Sequence, residues 1–296
     1  MLSYPFTAEF LTQLETLRLR TRKEILGGHT GSYSSPRRGT SLEFADYRKY
    51  SPGDDLRYLD WGIYARSDRL YVRLFREEVD LFAYVFIDAS ASMAFPSRAE
   101  KFLPASHVAL ALSYIILANH DHVKLHLLQG AAGSASQFFR GRRRMTDCIG
   151  FATSAVPGGA LDLAHALGEH LKKLRRPGKA IFISDFLMPA TSYQPGLNLL
   201  RSFNLDIAVI QVLSRQEVDP ALPNGSLALV DSESQIEIKY QWGGSARRDY
   251  QTRLAHHNLE IRSFCHQSGI HYSLYVTDRD LGDFVFATLP AIGLFK

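Results

Sequence analysis

The sequence predicts an α/β protein with a doubly wound sheet, preceded by a small β-rich subdomain and an N-terminal helix. Residues 81–87 form an uninterrupted apolar run, L-F-A-Y-V-F-I, which is rich in β-branched and aromatic side chains. Such a run is typical of a strand covered on both faces, as in a parallel sheet. Residues 179–186 repeat the pattern as K-A-I-F-I-S-D-F. Strand and helix candidates then alternate toward the end of the chain, which indicates a doubly wound sheet.

The elements are predicted in order along the chain. An amphipathic, Arg-rich helix is expected from Phe6 to Leu26, followed by a Gly/Ser/Arg loop from Gly27 to Ser41. Strands are predicted at Asp68–Val79, Leu81–Ile87, Val123–Gln129, Ala180–Ser184, Leu205–Leu213 and Ile270–Val276. Helices are predicted at Arg98–Asn119, Thr146–Ala155, Leu161–Leu174, Ser192–Phe203, Ala246–Gln267 and Asp280–Leu289. The predicted domains are 1–80, with the helix and a β-rich region, and 81–296, with the sheet and a late β-hairpin at Leu227–Tyr240.

Polar side chains follow both apolar runs. The string D-A-S-A-S places Asp88, Ser90 and Ser92 at alternate positions after the first run, and Asp185 comes at the end of the second. Open α/β sheets bind ligands at the carboxyl ends of their strands. Because hard oxygen ligands suit Mg²⁺, the sequence predicts a magnesium site formed by these four residues. The alternative is a polar turn whose Asp and Ser side chains cap the next helix.

The D-x-S-x-S spacing with a later strand-end Asp resembles the metal-ion-dependent adhesion site of von Willebrand factor A domains. The resemblance implies that the two serines bind the metal directly, that the two aspartates act largely through water, and that a Thr on another loop completes the set. In the segment G-A-L-D-L-A-H-A-L, Leu161 stands where that Thr is expected. Water or Asp162 could take its place, but the metal affinity is then expected to be lower and could be nil. The resemblance therefore implies a Mg²⁺ site with its occupancy left open.

A second signature lies between Glu43 and Arg66. It reads E-F-x-x-x-R-x-Y-x-P-G-D-D-x-R-x-x-D-W-x-x-x-A-R. The Pro-Gly and Asp-Asp steps favour a turn, across which Arg57, Asp60 and Arg66 can pair, and Trp61 is a candidate core residue. The string also resembles the hallmark of the bacterial family called domain of unknown function 58, in which it precedes a von Willebrand factor A-like domain. That family is associated with MoxR-type AAA ATPases acting on client proteins, and its motif implies no catalytic activity.

Composition limits the remaining classes of function. The chain has 296 residues, 46% of them hydrophobic, which suffices for a sizeable core. Cys148 and Cys265 lie far apart without C-x-x-C spacing, so neither a disulfide framework nor a zinc site is expected. The net charge of +4 comes without a nucleic-acid-binding motif, and nucleic acid is not an expected partner. With no signal peptide or long apolar helix expected, we predict a cytoplasmic protein that reaches a membrane only through a partner.

The favoured hypothesis is a non-enzymatic interaction module. It would present Mg²⁺, or a degenerate form of that site, to an acidic residue of a partner, and would act with a MoxR-type AAA ATPase on a client protein. The competing hypothesis is a metal-assisted phosphohydrolase that uses Asp88 and Asp185. Against the enzyme, no Lys or Gly-rich loop is expected near these residues to hold a phosphate.

Overall fold

The computed structural model describes residues 5–20, 42–77, 80–130, 133–174, 176–232 and 236–295. Its strands are β1 (Leu42–Lys49), β2 (Tyr71–Glu77), β3 (Phe82–Asp88), β4 (His122–Leu128), β5 (Ser134–Ala135), β6 (Phe139–Arg140), β7 (Lys179–Ser184), β8 (Asp206–Leu213), β9 (Gly225–Val230), β10 (Glu237–Trp242) and β11 (His271–Val276). Its helices are α1 (Ala8–Leu14), α2 (Trp61–Ser67), α3 (Phe102–Ala118), α4 (Met145–Ala152), α5 (Leu163–Leu171), α6 (Ala190–Ser202), α7 (Arg215–Val218), α8 (Gly244–Gln267), α9 (Leu281–Asp283) and α10 (Leu289–Ala291). The predicted α/β class is confirmed.

A central, mostly parallel sheet organises the larger part of the chain. Its strand order is β11-β8-β7-β3-β4-β5, with β6 also paired to β4. Strands β3, β4, β7, β8 and β11 run parallel, whereas β5 and β6 are antiparallel additions to β4. The chain passes from β3 to β4 on one side and later returns to β7 on the other side of β3. The order therefore reverses between β3 and β7, which is where open α/β sheets bind ligands.

Helices cover both faces of this sheet. Side chains alternate along β3, so that Val85 and Ile87 join a core with α3 and α4, whereas Tyr84 and Phe86 join a core with α5 and α6. Cys148 lies in the first core and Cys265 in the second, and both thiols are free. Burial on both faces explains why these strands read as continuous apolar runs.

The chain divides into two compact units. One comprises residues 25–80 and the other comprises residues 1–24 together with 81–296. The N-terminal helix α1 belongs to the larger unit, together with residues 81–296. Leu14 of α1 is fully buried in the core beside α3, and the Arg20 amide donates to the Leu294 carbonyl at 2.8 Å.

Two predicted helices differ from expectation. The first was expected to continue to Leu26, but α1 ends at Leu14, Leu19 forms a β-bridge with Phe295, and residues 21–26 lie outside the described residues. The last was expected as one helix from Asp280, but it consists of α9, a π-helical turn and α10. After α1, contacts with residues 294 and 295 replace regular helix.

The predicted hairpin is present as β9 and β10. Ile238 lies opposite Leu229, and Tyr240 lies opposite Leu227, so these four apolar side chains share one face of the hairpin. Ile238 is 59% exposed.

Across the described ranges, no helix combines the length and the apolar character needed to cross a bilayer.

Candidate metal centre

The structure brings the predicted site residues together at the carboxyl edge of the sheet. Strand β3 ends at Asp88, and Asp185 directly follows the end of β7. These strands are neighbours, with Ile87 in register with Ile183. Asp88 and Asp185 are respectively 0% and 1% exposed. Two carboxylates thus lie buried at the point where the strand order reverses.

The D-A-S-A-S turn is held by its own side chains. One Asp88 oxygen, Oδ1, accepts the Ser90 amide at 2.8 Å, and the other, Oδ2, accepts the Ser184 hydroxyl at 2.6 Å. The hydroxyl oxygens of Ser90 and Ser92 are 3.0 Å apart. Two neighbouring ligands in an octahedral Mg²⁺ shell, each about 2.1 Å from the ion, would be separated by about 3 Å. The separation of the two hydroxyls suits either a hydrogen bond or a shared cation.

The environment of Asp88 disfavours its ionised form. Desolvation by complete burial, with the nearby charge of Asp185 adding to it, raises the pKa of Asp88 to about 6. Hydrogen bonds from Ser184 and Ser90 act in the opposite direction and stabilise the carboxylate. A cation at this edge would relieve the repulsion between the two aspartates.

Sequence reasoning missed a lysine and a glutamate at the same edge. Lys101, just before α3, is 0% exposed, and its Nζ donates to Asp185 Oδ2 and Glu217 Oε1, both at 2.6 Å, and to the Ser92 carbonyl at 3.0 Å. A lysine thus lies at this edge, but its ammonium is already donating to three protein acceptors. Glu217 belongs to a Ser214 capping box on α7, and the S-R-Q-E string was a readable signal for that box. No sequence signal marked Lys101 as buried.

Burial and charge act in opposite directions on this ion-paired cluster. Desolvation lowers the pKa of Lys101, but the charges of Asp185 and Glu217 outweigh it and leave that pKa raised. Desolvation also raises the pKa of Glu217, against the opposing charge and hydrogen bond of Lys101. Lys101, Asp185 and Glu217 all lose hydration by burial, and their opposite charges offset the cost of that loss.

The loop expected to carry the missing Thr does lie beside the D-A-S-A-S turn. The Gly158 amide donates to the Ala89 carbonyl at 3.0 Å, and the Ala91 amide donates to the Gly159 carbonyl at 2.8 Å. Leu161, however, is 9% exposed and packs in the core on the α5 face. Asp162 is the N-cap of α5 and accepts the His165 amide at 3.0 Å. Leu161 therefore supplies no oxygen ligand, and the Asp162 carboxylate is engaged in capping α5.

An open cleft of about 760 Å³ adjoins this loop, and its lining includes Gln129, Ser134, Val156 and Gly158. Within the described ranges, no group of three or more His, Cys, Asp and Glu side chains is arranged to hold a metal ion. A metal here would depend on the serine hydroxyls.

The upstream signature forms part of the smaller unit, with Asp60 at its centre. Asp60 caps α2 by accepting the amides of Gly62 and Ile63, and its Oδ2 accepts the Tyr47 hydroxyl at 3.0 Å and Arg73 Nε at 2.8 Å. The Arg73 hydrogen bond, followed by that from the Ile63 amide, lowers the pKa of Asp60 to about 2. This side chain joins β1, β2 and α2.

Two expectations about the upstream signature are wrong. Arg57 pairs with Asp55 at 2.6 Å instead of with Asp60, and Arg66 Nε donates to the Gly62 carbonyl at 3.0 Å. Trp61 is 61% exposed, so its ring is not a core residue. The sequence did not reveal Arg73 as the partner of Asp60, because that contact depends on the bridge between Leu59 and Val72, which sets the segment before α2 against β2.

The chain is similar in sequence to an uncharacterized mycobacterial protein, and its similarity to solved structures is limited. An uncharacterized protein of Mycobacterium bovis, Mb1516, is 29% identical over 278 residues, which are 92% of this chain and 86% of that protein. The conserved hypothetical protein BatB from Bacteroides thetaiotaomicron is similar over 72% of this chain and 98% of its own, with 10% identity and a TM-score of 0.42. Manganese-loaded Plasmodium vivax TRAP protein is similar over 45% of this chain and 57% of its own, with 19% identity and a TM-score of 0.34.

The family model described as "Protein of unknown function DUF58" matches residues 46–260, from within the upstream signature into α8. The match spans both compact units and includes Asp88, Ser90, Ser92 and Asp185. The chain therefore belongs to this family.

Proposed function

We propose that this chain is a non-enzymatic protein-interaction module with a von Willebrand factor A-like sheet. Its metal-ion-dependent adhesion site would be formed by Asp88, Ser90, Ser92 and Asp185 and would accept a carboxylate from a partner. One observation carries the proposal: these residues converge at the edge where the strand order reverses, with the Ser90 and Ser92 hydroxyls 3.0 Å apart.

The donor chemistry fits Mg²⁺. The two serines offer hydroxyl oxygens and the two aspartates offer carboxylates, all of which are hard ligands. A bound divalent cation would supply a Lewis acid that attracts a carboxylate. Because Leu161 brings no oxygen and Asp185 is already paired with Lys101 at 2.6 Å, we expect affinity below that of a complete site.

The phosphohydrolase alternative has weaker support. Asp88 is fully buried, so it has no exposed oxygen from which to attack a phosphate in solution. Lys101 is equally buried and donates to three acceptors. Because both groups are withdrawn from solvent, the interaction module is preferred.

The partner proposed is a MoxR-type AAA ATPase, working on a client protein in the cytoplasm. This part of the proposal rests on the family resemblance of the upstream signature. Capture of the native chain from its own cells, followed by identification of co-purifying proteins, tests it. Recovery of clients without any AAA ATPase would refute this part.

Calorimetric titration with Mg²⁺ and Mn²⁺ tests the site itself. The wild type is expected to bind one ion with millimolar or lower Kd, and the Ser90→Ala/Ser92→Ala double variant is expected to bind none. Ser202→Ala, an exposed serine at the end of α6, is the matched control and should bind as the wild type does. A wild type that takes up neither ion at millimolar concentration would refute the adhesion site.

A further inference from the structure

The ammonium of Lys101 is itself held like a bound cation. Its three N–H groups have three acceptors, which are the carboxylate oxygens of Asp185 and Glu217 and the Ser92 carbonyl. The acceptors belong to the segments that follow β7, β8 and β3, and Glu217 lies on α7. Lys101 therefore joins three segments of the carboxyl edge from a position with no solvent exposure.

The formal charges of the buried side chains at this edge affect how strongly it attracts a divalent cation. Three buried carboxylates, Asp88, Asp185 and Glu217, share the edge with one buried ammonium, Lys101. Their combined formal charge is thus equal to that of two uncompensated carboxylates, which one divalent cation would neutralise. Without Lys101, the edge would carry a third uncompensated carboxylate and would bind a divalent cation more strongly, because affinity in oxygen-ligand sites rises with ligand charge.

We propose that Lys101 is a specificity-determining and positioning residue that acts as a resident cation of this edge. It holds Asp185 and Glu217 in place without metal, and it reduces the negative charge offered to an incoming divalent ion. The edge is thereby kept folded in the absence of metal and binds metal weakly and reversibly. This inference rests on the metal site proposed above and assigns Lys101 and Glu217 a part in it.

The test compares divalent-ion affinity across charge variants by calorimetry with Mg²⁺ and Mn²⁺. Lys101→Met removes the ammonium and keeps a side chain of similar length, and its Kd is expected to fall by about tenfold or more. Glu217→Gln removes one carboxylate and should raise the Kd by a similar factor. The double variant Lys101→Met/Glu217→Gln restores the wild-type formal charge, and its Kd should return to within about threefold of the wild-type value.

Melting temperature provides a second readout. Lys101→Met should melt well below the wild type in the absence of metal, and Mn²⁺ should raise its melting temperature more than that of the wild type. If Lys101→Met does not fold without metal, Glu217→Gln and the double variant still decide the matter. An unchanged or higher Kd in folded Lys101→Met, or an unchanged Kd in Glu217→Gln, would overturn the inference.

The outcomes separate this inference from the proposed function. If the wild type binds no metal but Lys101→Met does, the adhesion site as proposed fails and the role of Lys101 stands. If the wild type binds metal and none of the charge variants changes its Kd, the adhesion site stands and the role of Lys101 is refuted. If neither the wild type nor Lys101→Met binds metal, both are refuted.

Discussion

Asp60 shows how one buried carboxylate can stabilise a small unit. Its side chain is 7% exposed and receives hydrogen bonds from Tyr47, Arg73 and two backbone amides of α2. Its pKa is lowered in the folded unit to about 2 from an ordinary value of 3.8. A lowered carboxylate pKa stabilises the fold above the ordinary value, and that contribution is lost as the pH falls through the folded value.

We therefore predict that the unit of residues 25–80 loses stability between about pH 4 and pH 2 and that Asp60→Asn removes much of this dependence. Emission of Trp61, which follows Asp60 directly, reports unfolding of the unit when Trp242 is replaced by Phe. Asp68→Asn, an exposed carboxylate at the end of α2, is the control and should retain the wild-type pH profile. A profile that is identical in wild type and Asp60→Asn would contradict the role of this ion pair.

Leu161 gives a second prediction at the residue scale. Its side chain packs in the core on the α5 face, so Leu161→Thr exchanges buried apolar surface for a hydroxyl without an assigned partner. We expect a loss of about 2–4 kcal/mol in unfolding free energy and no gain in Mg²⁺ affinity. Urea denaturation and calorimetry measure the two effects. Tighter metal binding by Leu161→Thr would show that the new hydroxyl does reach the site.

At the scale of elements, the packing of α5 against α6 depends on a glycine. A Cβ on Gly196 of α6 would lie 2.8 Å from Cγ of Leu163 and 3.2 Å from Cδ1 of Leu167, so Leu163 would have to shift. Gly168 of α5 offers a contrast, because a Cβ there would meet its nearest neighbour, Leu199, at 3.8 Å. At Gly196 the two helices approach too closely for a Cβ, whereas at Gly168 a Cβ would make an ordinary van der Waals contact.

Gly196→Ala is accordingly expected to destabilise the protein by about 1–2 kcal/mol, since overpacking outweighs the gain in helix propensity. Gly168→Ala should be neutral or stabilising by up to about 1 kcal/mol. Urea denaturation of both variants against the wild type decides between the two effects. Equal stability changes in the two variants would show that the α5–α6 contact accommodates the extra methyl group.

The sequence predicts the central strands well, and the physical reason is their burial on two faces. For example, the strand predicted at Leu205–Leu213 is observed at Asp206–Leu213, with every residue buried. The end of α1 at Leu14 was not predictable, because the chain beyond it pairs with residues 294 and 295. The same limit applies to Lys101. A charged residue before a helix is normally exposed, and only the tertiary fold brings Asp185 and Glu217 to it.

For the whole molecule, the two tryptophans lie in different units, Trp61 in residues 25–80 and Trp242 in the larger unit. All four proposed metal ligands belong to the larger unit. Mg²⁺ at tenfold its Kd would stabilise the state that binds it by about 1.4 kcal/mol. We predict that Mg²⁺ raises the melting transition reported by Trp242 by roughly 3–5 °C.

The measurement uses fluorescence melting of Trp61→Phe, in which Trp242 is the remaining tryptophan. The same variant carrying Ser90→Ala and Ser92→Ala is the control and should show no shift with Mg²⁺. A transition that Mg²⁺ leaves unchanged, or an equal rise in the control, would show that the ion does not act through these serines.

The two cysteines have a practical consequence for following this molecule as it opens. Burial, with a smaller effect of Asp147 at the first position, raises the pKa of Cys148 to about 12, and burial likewise raises the pKa of Cys265 to about 12. Few thiolates therefore exist near neutral pH, and an alkylating reagent reaches a thiol only after its surroundings separate. Cys148 lies on α4 and is buried in the core with α3, whereas Cys265 lies on α8 in the core on the opposite face of the sheet. The alkylation rate of each cysteine therefore measures how often the helices on its own face of the sheet open.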